Sequence, residues 1–502
     1  MRLQIVNSKN AASLYVVKSI FENGRRSSKV VEKLGTYDDL HKKLNGENPI
    51  DWAKKYVDEL NQKEKEENRE VLVKYSPEKL IYKGEQRSFN GGYLFLQKIY
   101  HELGLHKICK EISQKYKFDF DLDSILSRLI YGRVIFPSSK LATFELSKRF
   151  IEQPNFDLHQ IYRALEVLAK ETDFIQSSLY KNSLKVSKRN TGILFYDCTN
   201  YFFEIEQGDG KKQYGPSKEH RPNPIIQMGL FMDGDGIPLA FSINRGNMNE
   251  QLTLKPLEKK IISDFELSKF IVCTDAGLAS EDNRKFNDKD GRAFITTQSI
   301  KKLKDHLRKW ALAPDGWKLP GSEKTYDISK LDEMIDKAIP EDKAKIRAKV
   351  FFKERWIKEN DFEQRLIVTY SIKYRDYQRK IRNSQIERAQ KVIDTNPTKI
   401  KKCNANDYKR FIHKTNVTPD GEVAEKEIYS IDSTIIEKEE AFDGFYGVCT
   451  NLEDDVSEII KVNHRRWEIE ECFRIMKSEF KAKPVYLSND DMIEAHFTTC
   501  FI

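Results

Sequence analysis

The sequence predicts a multidomain α/β protein, and three observations favour that class. Residues 192–196 and 270–274 are short apolar runs, each followed by an aspartate, and such runs are typical of strands buried on both faces of a sheet. Apolar residues recur with helical spacing through 91–188 and again at 463–480. Because 502 residues exceed a single ordinary core, we expect several domains.

Residues 1–85 are expected to form a β-hairpin followed by a charged linker. The segments 13–21 and 27–34 flank Glu-Asn-Gly, a sequence typical of tight turns. The stretch 53–74 is rich in Lys and Glu and has little apolar periodicity, which is typical of an exposed helix or a linker. Neither segment carries a catalytic pattern.

Residues 86–188 are expected to be helical. Short helices that carry basic residues suit a DNA-binding domain, for example one of the helix-turn-helix kind. A helical scaffold or a dimerisation domain explains the same pattern equally well. The four segments with helical spacing are 93–105, 122–135, 140–151 and 158–171.

Residues 189–300 are expected to form the first part of an α/β core. The apolar stretches 225–232 and 237–243 flank Asp-Gly-Asp-Gly, a strong hairpin sequence, so an antiparallel meander should follow the first acidic strand. A helix candidate at 249–265 precedes the second acidic strand, and 292–297 predicts one more strand. Open α/β sheets place their chemistry just beyond the carboxyl ends of their strands, where Asp197 and Asp275 are expected.

Residues 301–445 are expected to be an inserted domain, because about 150 residues are too many for an ordinary loop. Strand-like runs occur at 349–359, 364–374 and 427–437, and a charged helix is predicted at 376–394.

The run 463–480 predicts a helix with a charged face. At about 100° per residue, Arg466, Glu470 and Lys477 share a narrow arc, and apolar residues fill the neighbouring arc. A metal-binding acid between two phosphate-binding cations suits chemistry on a nucleic-acid backbone. A surface helix stabilised by ion pairs between successive turns is the alternative.

This run resembles the signature helix of DDE transposases of the insertion sequence 4 type, Tyr-x2-Arg-x3-Glu-x6-Lys, with Trp467 after the Arg and Ile469 before the Glu. The sequences around Asp197 (Asp-Cys-Thr, then Phe-Glu) and Asp275 (Thr-Asp-Ala-Gly) resemble the family's first and second acidic motifs. One position departs from the pattern, because the family tyrosine falls on Asn463. An amide can bind a phosphate but cannot stack like a phenol ring.

The resemblance implies a bacterial DNA transposase of the cut-and-paste kind. Its fold would be an RNase H-like core, formed by 189–300 and 446–502 and interrupted by a mostly β insertion at 301–445. Its partners would be double-stranded DNA, at the terminal inverted repeats and at the target, and a second subunit in a homodimer. The helical region 86–188 would be the candidate domain for binding the element's ends.

The resemblance also implies that Asp197, Asp275 and Glu470 are the catalytic acids and hold two Mg²⁺ ions, or Mn²⁺ in their place. Two-metal phosphodiester cleavage needs hard oxygen ligands, and Mg²⁺ prefers carboxylate and water oxygens. Asp197 would bridge both ions, and Asp275 and Glu470 would each complete one. The expected contacts to the DNA backbone are Asn463, Arg466 and Lys477.

Further DNA contacts are expected outside the motifs. Trp310, Trp317 and Trp356 are interleaved with Lys and Arg, and relatives stack a tryptophan of the insertion on an unpaired base. The alternative is that these rings pack the core of the insertion. Arg245, after the third strand, could approach a phosphate, although it equally suits a polar turn.

Composition agrees with these expectations without deciding among them. A net charge of +8 is compatible with a polyanionic partner. No apolar run of roughly 18 residues and no signal peptide is present, so we expect a soluble, cytoplasmic protein without a membrane partner. Seven scattered cysteines without CxxC pairs indicate a reducing compartment.

Two other functions stay open. The first is a stand-alone metal-dependent nuclease, which would cleave DNA without joining it to a target. The second is an inactive DNA-binding relic, because the apolar segment 493–502 ends where family members usually continue, as a truncated chain would.

Overall fold

The computed structural model of the protein describes residues 1–8, 11–22, 25–44, 47–67, 78, 80, 82–84, 88–395, 406–417, 423–483 and 485–502. These residues divide into two compact units. The first contains Met1–His101 and Phe144–Asn155, and the second contains Glu102–Thr143 and Phe156–Ile502.

The first unit begins with a three-stranded antiparallel sheet, on which Leu14, Leu40 and Ala53 form a small core. The predicted hairpin is present, with an additional strand before it, whereas its turn residues 23–24 lie outside the described residues. The stretch 53–74 is helical as far as it is described. The elements are β1 (Arg2–Asn7), β2 (Ala12–Glu22), β3 (Arg25–Thr36), α1 (Tyr37–Lys43), α2 (Pro49–Glu67) and α3 (Tyr93–Glu102).

Helices continue from there to the first acidic strand, as the periodicity predicts. Each of the four predicted segments contains a helix, and two further helices, α4 and α8, were not predicted. Asp121 caps α5 by accepting the backbone N–H of Ser124. The helices are α4 (Leu105–Lys115), α5 (Leu122–Ile135), α6 (Lys140–Ser147), α7 (Leu158–Lys170) and α8 (Thr172–Val186).

A ten-stranded mixed sheet organises the second unit. Its first strand, β4, pairs antiparallel with β5 and parallel with β7, and β8 continues the parallel part. The predicted meander, helix and strands are all present. The elements are β4 (Ile193–Phe202), β5 (Ile225–Asp233), β6 (Pro238–Arg245), α9 (Leu254–Asp264), β7 (Ile271–Thr274), α10 (Glu281–Phe286) and β8 (Ala293–Gln298).

The region 301–445 is not mostly β, and this expectation was wrong. Its described residues hold five α-helices. Its strands β9 to β12 extend the core sheet beside β15 (Phe445–Thr450), in the order β10-β9-β11-β12-β15-β8-β7-β4-β5-β6. The run 427–437 is a strand only to Ile431, because Asp432 caps a helix there. The elements are α11 (Asp305–Leu312), β9 (Trp317–Lys318), β10 (Thr325–Tyr326), α12 (Leu331–Lys337), α13 (Pro340–Ala348), β11 (Val350–Glu359), β12 (Phe362–Ser371), α14 (Ile372–Thr395), β13 (Ile412–Val417), β14 (Val423–Ile431) and α15 (Ser433–Glu440).

The chain then returns to the middle of the sheet and crosses one of its faces. The predicted continuous helix 463–480 is broken at Arg465–Arg466, and a π-helical turn at Ile475–Glu479 changes its phase again. The elements are β15 (Phe445–Thr450), α16 (Val456–His464), α17 (Trp467–Arg474) and α18 (Asp490–Phe501). Among the described residues, no helix has both the length and the apolar character needed to cross a membrane.

The two faces of the sheet bury different sets of side chains. Phe195 and Tyr201 of β4 pack with α16, α17 and α18, whereas Leu194, Tyr196 and Cys198 pack on the other face with α9. Because successive side chains of a strand alternate between faces, Asp197 and Thr199 point to the same face as α16 and α17.

Candidate acidic active site

Two aspartates lie side by side where β4 passes the end of β7. The strands run parallel, and Tyr196 is the register partner of Thr274, so Asp197 and Asp275 follow at matched positions. Neighbouring strands are about 4.8 Å apart, which holds the two carboxylates close together on one face. Asp197 was predicted to lie just beyond the end of its strand. It lies within β4 instead, because the strand continues to Phe202.

The pKa of Asp197 is raised. Burial is the main cause, and the negative charge of Asp275 adds to it, while Lys218, the backbone N–H of Cys198 and Arg466 act in the opposite direction. The N–H of Cys198 donates to Oδ1 of Asp197 at 2.7 Å. The two carboxylates therefore repel each other in a partly desolvated place.

Arg466 provides the nearest cation, from the start of α17. Its Nη1 lies 2.8 Å from Oδ1 of Asp275. Burial raises the pKa of Asp275, but the Arg466 guanidinium more than offsets this, so the pKa lies below its usual value. We call Asp197, Asp275 and Arg466 the acidic site.

Lys477 reaches β4 from the π-helical turn. Its Nζ donates to the hydroxyl of Thr199 at 2.8 Å and lies 5.4 Å from the centre of the Tyr201 ring. Burial is the main reason that the pKa of Lys477 is lowered. A second predicted cation is therefore held two residues from Asp197 on the same face of the strand.

Glu470 is not drawn into the acidic site. It lies on α17 between Arg466 and Lys477, is exposed, and forms no ion pair or side-chain hydrogen bond within the part of the chain that the structure describes. In the same described part, no group of three or more His, Cys, Asp or Glu side chains is arranged to hold a metal ion. The structure thus brings together two of the three predicted acids.

The donor chemistry nonetheless fits a hard divalent cation. Asp197 and Asp275 offer carboxylate oxygens at matched positions, and the charge of Asp275 raises the pKa of Asp197, a repulsion that a bound cation would relieve. Glu470 has no competing partner among the described residues that would hold it away. The residues present are therefore compatible with Mg²⁺ or Mn²⁺.

Four charged residues near the acidic site, Lys218, Glu219, Glu250 and Lys483, were missed by the sequence analysis. Lys218 Nζ lies 4.0 Å from Asp197 and 3.7 Å from Glu250, and Glu219 lies 3.9 Å from Lys477 and pairs with Lys483. Lys218 and Glu219 come from the loop between β4 and β5. The charged sequence Lys-Glu-His-Arg, placed shortly after the first acidic strand, was the available indication.

Asn463 does not face solvent, so its predicted contact to DNA is wrong for this conformation. The residue is 2% exposed, and its Nδ2 donates to the hydroxyl of Tyr446 at 2.9 Å. That hydroxyl also lies 2.8 Å from the hydroxyl of Thr297. The side chain is used to fix the end of α16 against the sheet, three residues before Arg466.

The three tryptophans have different surroundings. Trp317 is fully buried and donates to the carbonyl of Ala313 at 2.9 Å, so it packs a core and cannot stack on a base. Trp310 is half-buried beside the same core, under the guanidinium of Arg355. Trp356 alone of the three is exposed.

Arg245 is exposed at the end of β6. It forms no side-chain hydrogen bond or ion pair with any residue that the structure describes, those of the acidic site included.

The family model of the transposase DDE domain matches residues 191–502, well over half of the chain. The chain belongs to this family. The matched part of this DDE transposase contains Asp197, Asp275, Arg466, Glu470 and Lys477.

Two solved transposase structures resemble the chain weakly. The cryo-EM structure of the piggyBac transposase synaptic complex with hairpin DNA is 10% identical, with a TM-score of 0.32, and the match covers 81% of this chain and 72% of the other. The Mos1 transposase paired-end complex with the left transposon end is 14% identical, with a TM-score of 0.15, covering 47% and 64%. Likenesses at this level add nothing to the family assignment. No curated protein matches the sequence.

Proposed function

We propose that this transposase moves a DNA element by cutting its ends and joining them to a target, with Asp197, Asp275 and Glu470 as the catalytic acids. The observation that carries the proposal is the side-by-side placement of Asp197 and Asp275, with the Arg466 guanidinium beside them. Glu470 is included because it lies between Arg466 and Lys477, two cations that contact this part of the sheet.

The proposal extends to the fold and to the kind of transposase. An RNase H-like core is supported by the order of the central strands, in which an antiparallel β4-β5-β6 meander is followed by β7 and β8 parallel to β4. A bacterial origin and membership of the insertion sequence 4 type rest on the spacing Arg466-x3-Glu470-x6-Lys477. Asn463 in place of the family tyrosine is the departure from that pattern.

Asp197, Asp275 and Glu470 would hold Mg²⁺, or Mn²⁺ as a substitute. When bound, such ions stabilise negative charge on the attacking and leaving oxygens of a phosphodiester. The chain's own cations have a separate task. Arg466 and Lys477 would neutralise the phosphate that approaches the acidic site, which the two carboxylates would otherwise repel.

Two displacements at phosphorus account for the overall reaction. In the first, a water oxygen attacks at the end of the element, the P–O3′ bond breaks, and the freed 3′-oxygen takes up a proton. In the second, this 3′-hydroxyl loses its proton and attacks a target phosphorus, so that one P–O3′ bond forms as another breaks. Bonds are exchanged in the second step without an external energy source.

The partners that we propose are double-stranded DNA and a second copy of the chain. The cations Lys218, Arg466, Lys477 and Lys483 surround the carboxylates and support binding of a polyanion. Recognition of the inverted repeats is proposed for the helical region 86–188. A homodimer is proposed because two ends of one element must be joined together.

Cleavage and joining of DNA test the proposal directly. The full chain would be incubated with Mg²⁺ or Mn²⁺, a duplex carrying the sequences that flank its gene, and a target plasmid. A Glu470→Gln variant would be compared with Glu471→Gln, a matched control whose carboxylate is next on α17 but pairs with Arg474.

We expect joined product from the unchanged chain and from Glu471→Gln, and none from Glu470→Gln. Cleavage without joining would instead identify a stand-alone nuclease. Binding without cleavage in either metal would identify a DNA-binding relic.

A further inference from the structure

Helix α14 has one anchored side and one exposed, basic side. Its buried residues are Ile372, Arg382 and Ala389, and Arg382 is fixed by donating to both carboxylate oxygens of Asp443 at 2.7 and 2.6 Å. At about 100° per residue, the opposite side presents six positions within an arc of about 80°. These positions, which we call the α14 face, are Lys373, Tyr377, Lys380, Ser384, Arg388 and Lys391, and all six are exposed.

The charges of the α14 face are not balanced. It contains four cations and no carboxylate, and none of the four forms an ion pair with a residue that the structure describes. Solvated helices usually place opposite charges three or four residues apart, as Arg474 does with Glu471. Glu387 borders the face but is not within ion-pair distance of Lys391. The face therefore offers free positive charge.

The α14 face begins at the same end of the strands as the acidic site, where the parallel strands of the sheet have their carboxyl ends. Strand β12 is antiparallel to β15, which is antiparallel to β8, so β12 runs in the direction of β7 and β4. Helix α14 starts directly after β12, three strands from β7, or about 14 Å along the sheet. Its Tyr374 ring lies 6.4 Å from the ring of Tyr446, whose hydroxyl binds Asn463 near Arg466.

The dimensions fit a DNA backbone. From Lys373 to Lys391 the helix rises about 27 Å, at 1.5 Å per residue, and duplex DNA carries one charge per about 1.7 Å of its axis. Lysine and arginine side chains on one helix face are suited to several successive phosphates. An acidic protein would also neutralise the four cations of the α14 face. DNA is the partner that we favour, because the face lies beside a site proposed to cleave phosphodiesters.

We infer that the α14 face binds the phosphate backbone of the DNA on which the acidic site acts, holding the duplex beside the bond to be cut. This inference rests on the proposed function and deepens it. It assigns the contact to phosphates, so it predicts binding energy that depends on salt and not on base sequence.

The test measures binding of the full chain to a labelled 30-base-pair duplex of arbitrary sequence, by fluorescence anisotropy over a range of KCl concentrations. The variant replaces Lys373, Lys380, Arg388 and Lys391 by Gln. A matched control removes the same charge elsewhere, by replacing Lys42, Lys259, Lys269 and Lys289, all exposed, by Gln. Lys269 and Lys289 precede β7 and β8, and so lie at the amino ends of these strands, away from the acidic site. A third variant keeps the charge, with Arg in place of Lys373, Lys380 and Lys391.

We expect the α14 variant to bind at least about tenfold more weakly near 0.1 M salt. The slope of log K against log salt should fall in magnitude by up to about 3.6, since each of the four phosphate contacts contributes about 0.9. The control and the charge-keeping variant should retain the slope of the unchanged chain. A photo-crosslinking residue at Tyr377 should label the duplex, whereas one at the exposed Asp264, at the end of α9, should not. This readout holds even if the Gln variant folds poorly.

Three results would overturn the inference. If the α14 variant keeps the affinity and slope of the control and Tyr377 does not crosslink, while the unchanged chain cleaves DNA, the inference fails and the proposed function stands. If the α14 variant binds an acidic polypeptide such as polyglutamate more weakly than the unchanged chain does, but binds DNA equally well, the α14 face binds an acidic protein partner. If the unchanged chain neither binds nor cleaves DNA, the inference and the proposed function fail together.

Discussion

Nη1 of Arg466 lies 2.8 Å from Oδ1 of Asp275, so the chain supplies its own cation to the pair of neighbouring carboxylates. The contact holds the pKa of Asp275 below its usual value, whereas burial holds the pKa of Asp197 above its own. Nε and Nη1 of Arg466 are buried, and neither donates a hydrogen bond of regular geometry to a described residue. The contact with Asp275 is therefore an ion pair.

Replacing Arg466 by Gln should change the affinities for Mn²⁺ and for DNA in opposite directions. The variant loses the cation that competes for Asp275, so its affinity for Mn²⁺ should rise, by about tenfold for an interaction worth 1–2 kcal/mol. Its affinity for duplex DNA should fall at the same time. Isothermal titration with Mn²⁺ measures the first effect and anisotropy the second. Equal Mn²⁺ affinities would show that Arg466 does not compete for the acids.

Replacing Lys218 by Gln should slow cleavage more than it weakens binding. Lys218 lies between Asp197 and Glu250, where its positive charge would meet the phosphate that is cut. Loss of one charged hydrogen bond of about 1.5–3 kcal/mol predicts a rate about 10- to 100-fold lower. Lys211→Gln, on the same loop but paired with Glu494, is the control for lost loop charge. Similar rates for both variants would leave Lys218 without a role in cleavage.

Replacing Asn463 by Ala should affect stability and not DNA binding. The buried amide donates to Tyr446, and its loss should lower the free energy of unfolding by about 1–3 kcal/mol. Thermal melts measure the stability, and anisotropy on the folded variant should give the DNA affinity of the unchanged chain. Weaker DNA binding at unchanged stability would instead show that Asn463 contacts DNA directly, as the family pattern implies.

The stability of the second unit should fall between pH 4.5 and 7 because of Glu258. This residue of α9 is fully buried, and burial raises its pKa to about 7, although Asn287 donates to it at 3.1 Å. Since the folded pKa exceeds the unfolded one, Glu258 stays protonated longer in the folded chain, and stability is lost as the pH rises through this window.

Replacing Glu258 by Gln should therefore raise the melting temperature at pH 8 and leave it unchanged at pH 4. The free-energy difference has an upper bound of about 3 kcal/mol for a shift of this size. Melts of both chains across the pH range measure it. A pH-independent difference would mean that Glu258 is not the titrating group.

Local patterns were sufficient to predict the centre of the fold. The strands that carry Asp197 and Asp275 are continuous apolar runs with polar turns, and the Asp-Gly-Asp-Gly turn between β5 and β6 is equally local. These local features require no knowledge of distant residues. The parallel register that matches Tyr196 with Thr274 joins distant segments and was not predicted.

Burial by distant residues was not predictable in the same way. Asn463 is buried by Tyr446, and Trp317 packs against Tyr370 and Phe445, residues that only the folded sheet brings together. The pairing of β12 with β15, which draws residues 301–445 into the core sheet, is likewise long-range. The role of Glu470 was predicted from its spacing on a helix and from the family resemblance, and both are local to that segment. Its distance from Asp197 depends on the break at Arg465–Arg466, which was not predicted.

The most direct test of the account is strand transfer by Asp197→Asn, using duplex ends that already carry a free 3′-hydroxyl. Asp209→Asn is the matched control, because Asp209 lies exposed on the loop after β4 and pairs with Lys212. The account predicts that Asp197→Asn binds DNA but joins it at least about a hundredfold more slowly, with Asp209→Asn unaffected. Joining by Asp197→Asn at the rate of the unchanged chain would contradict the assignment of the acidic site.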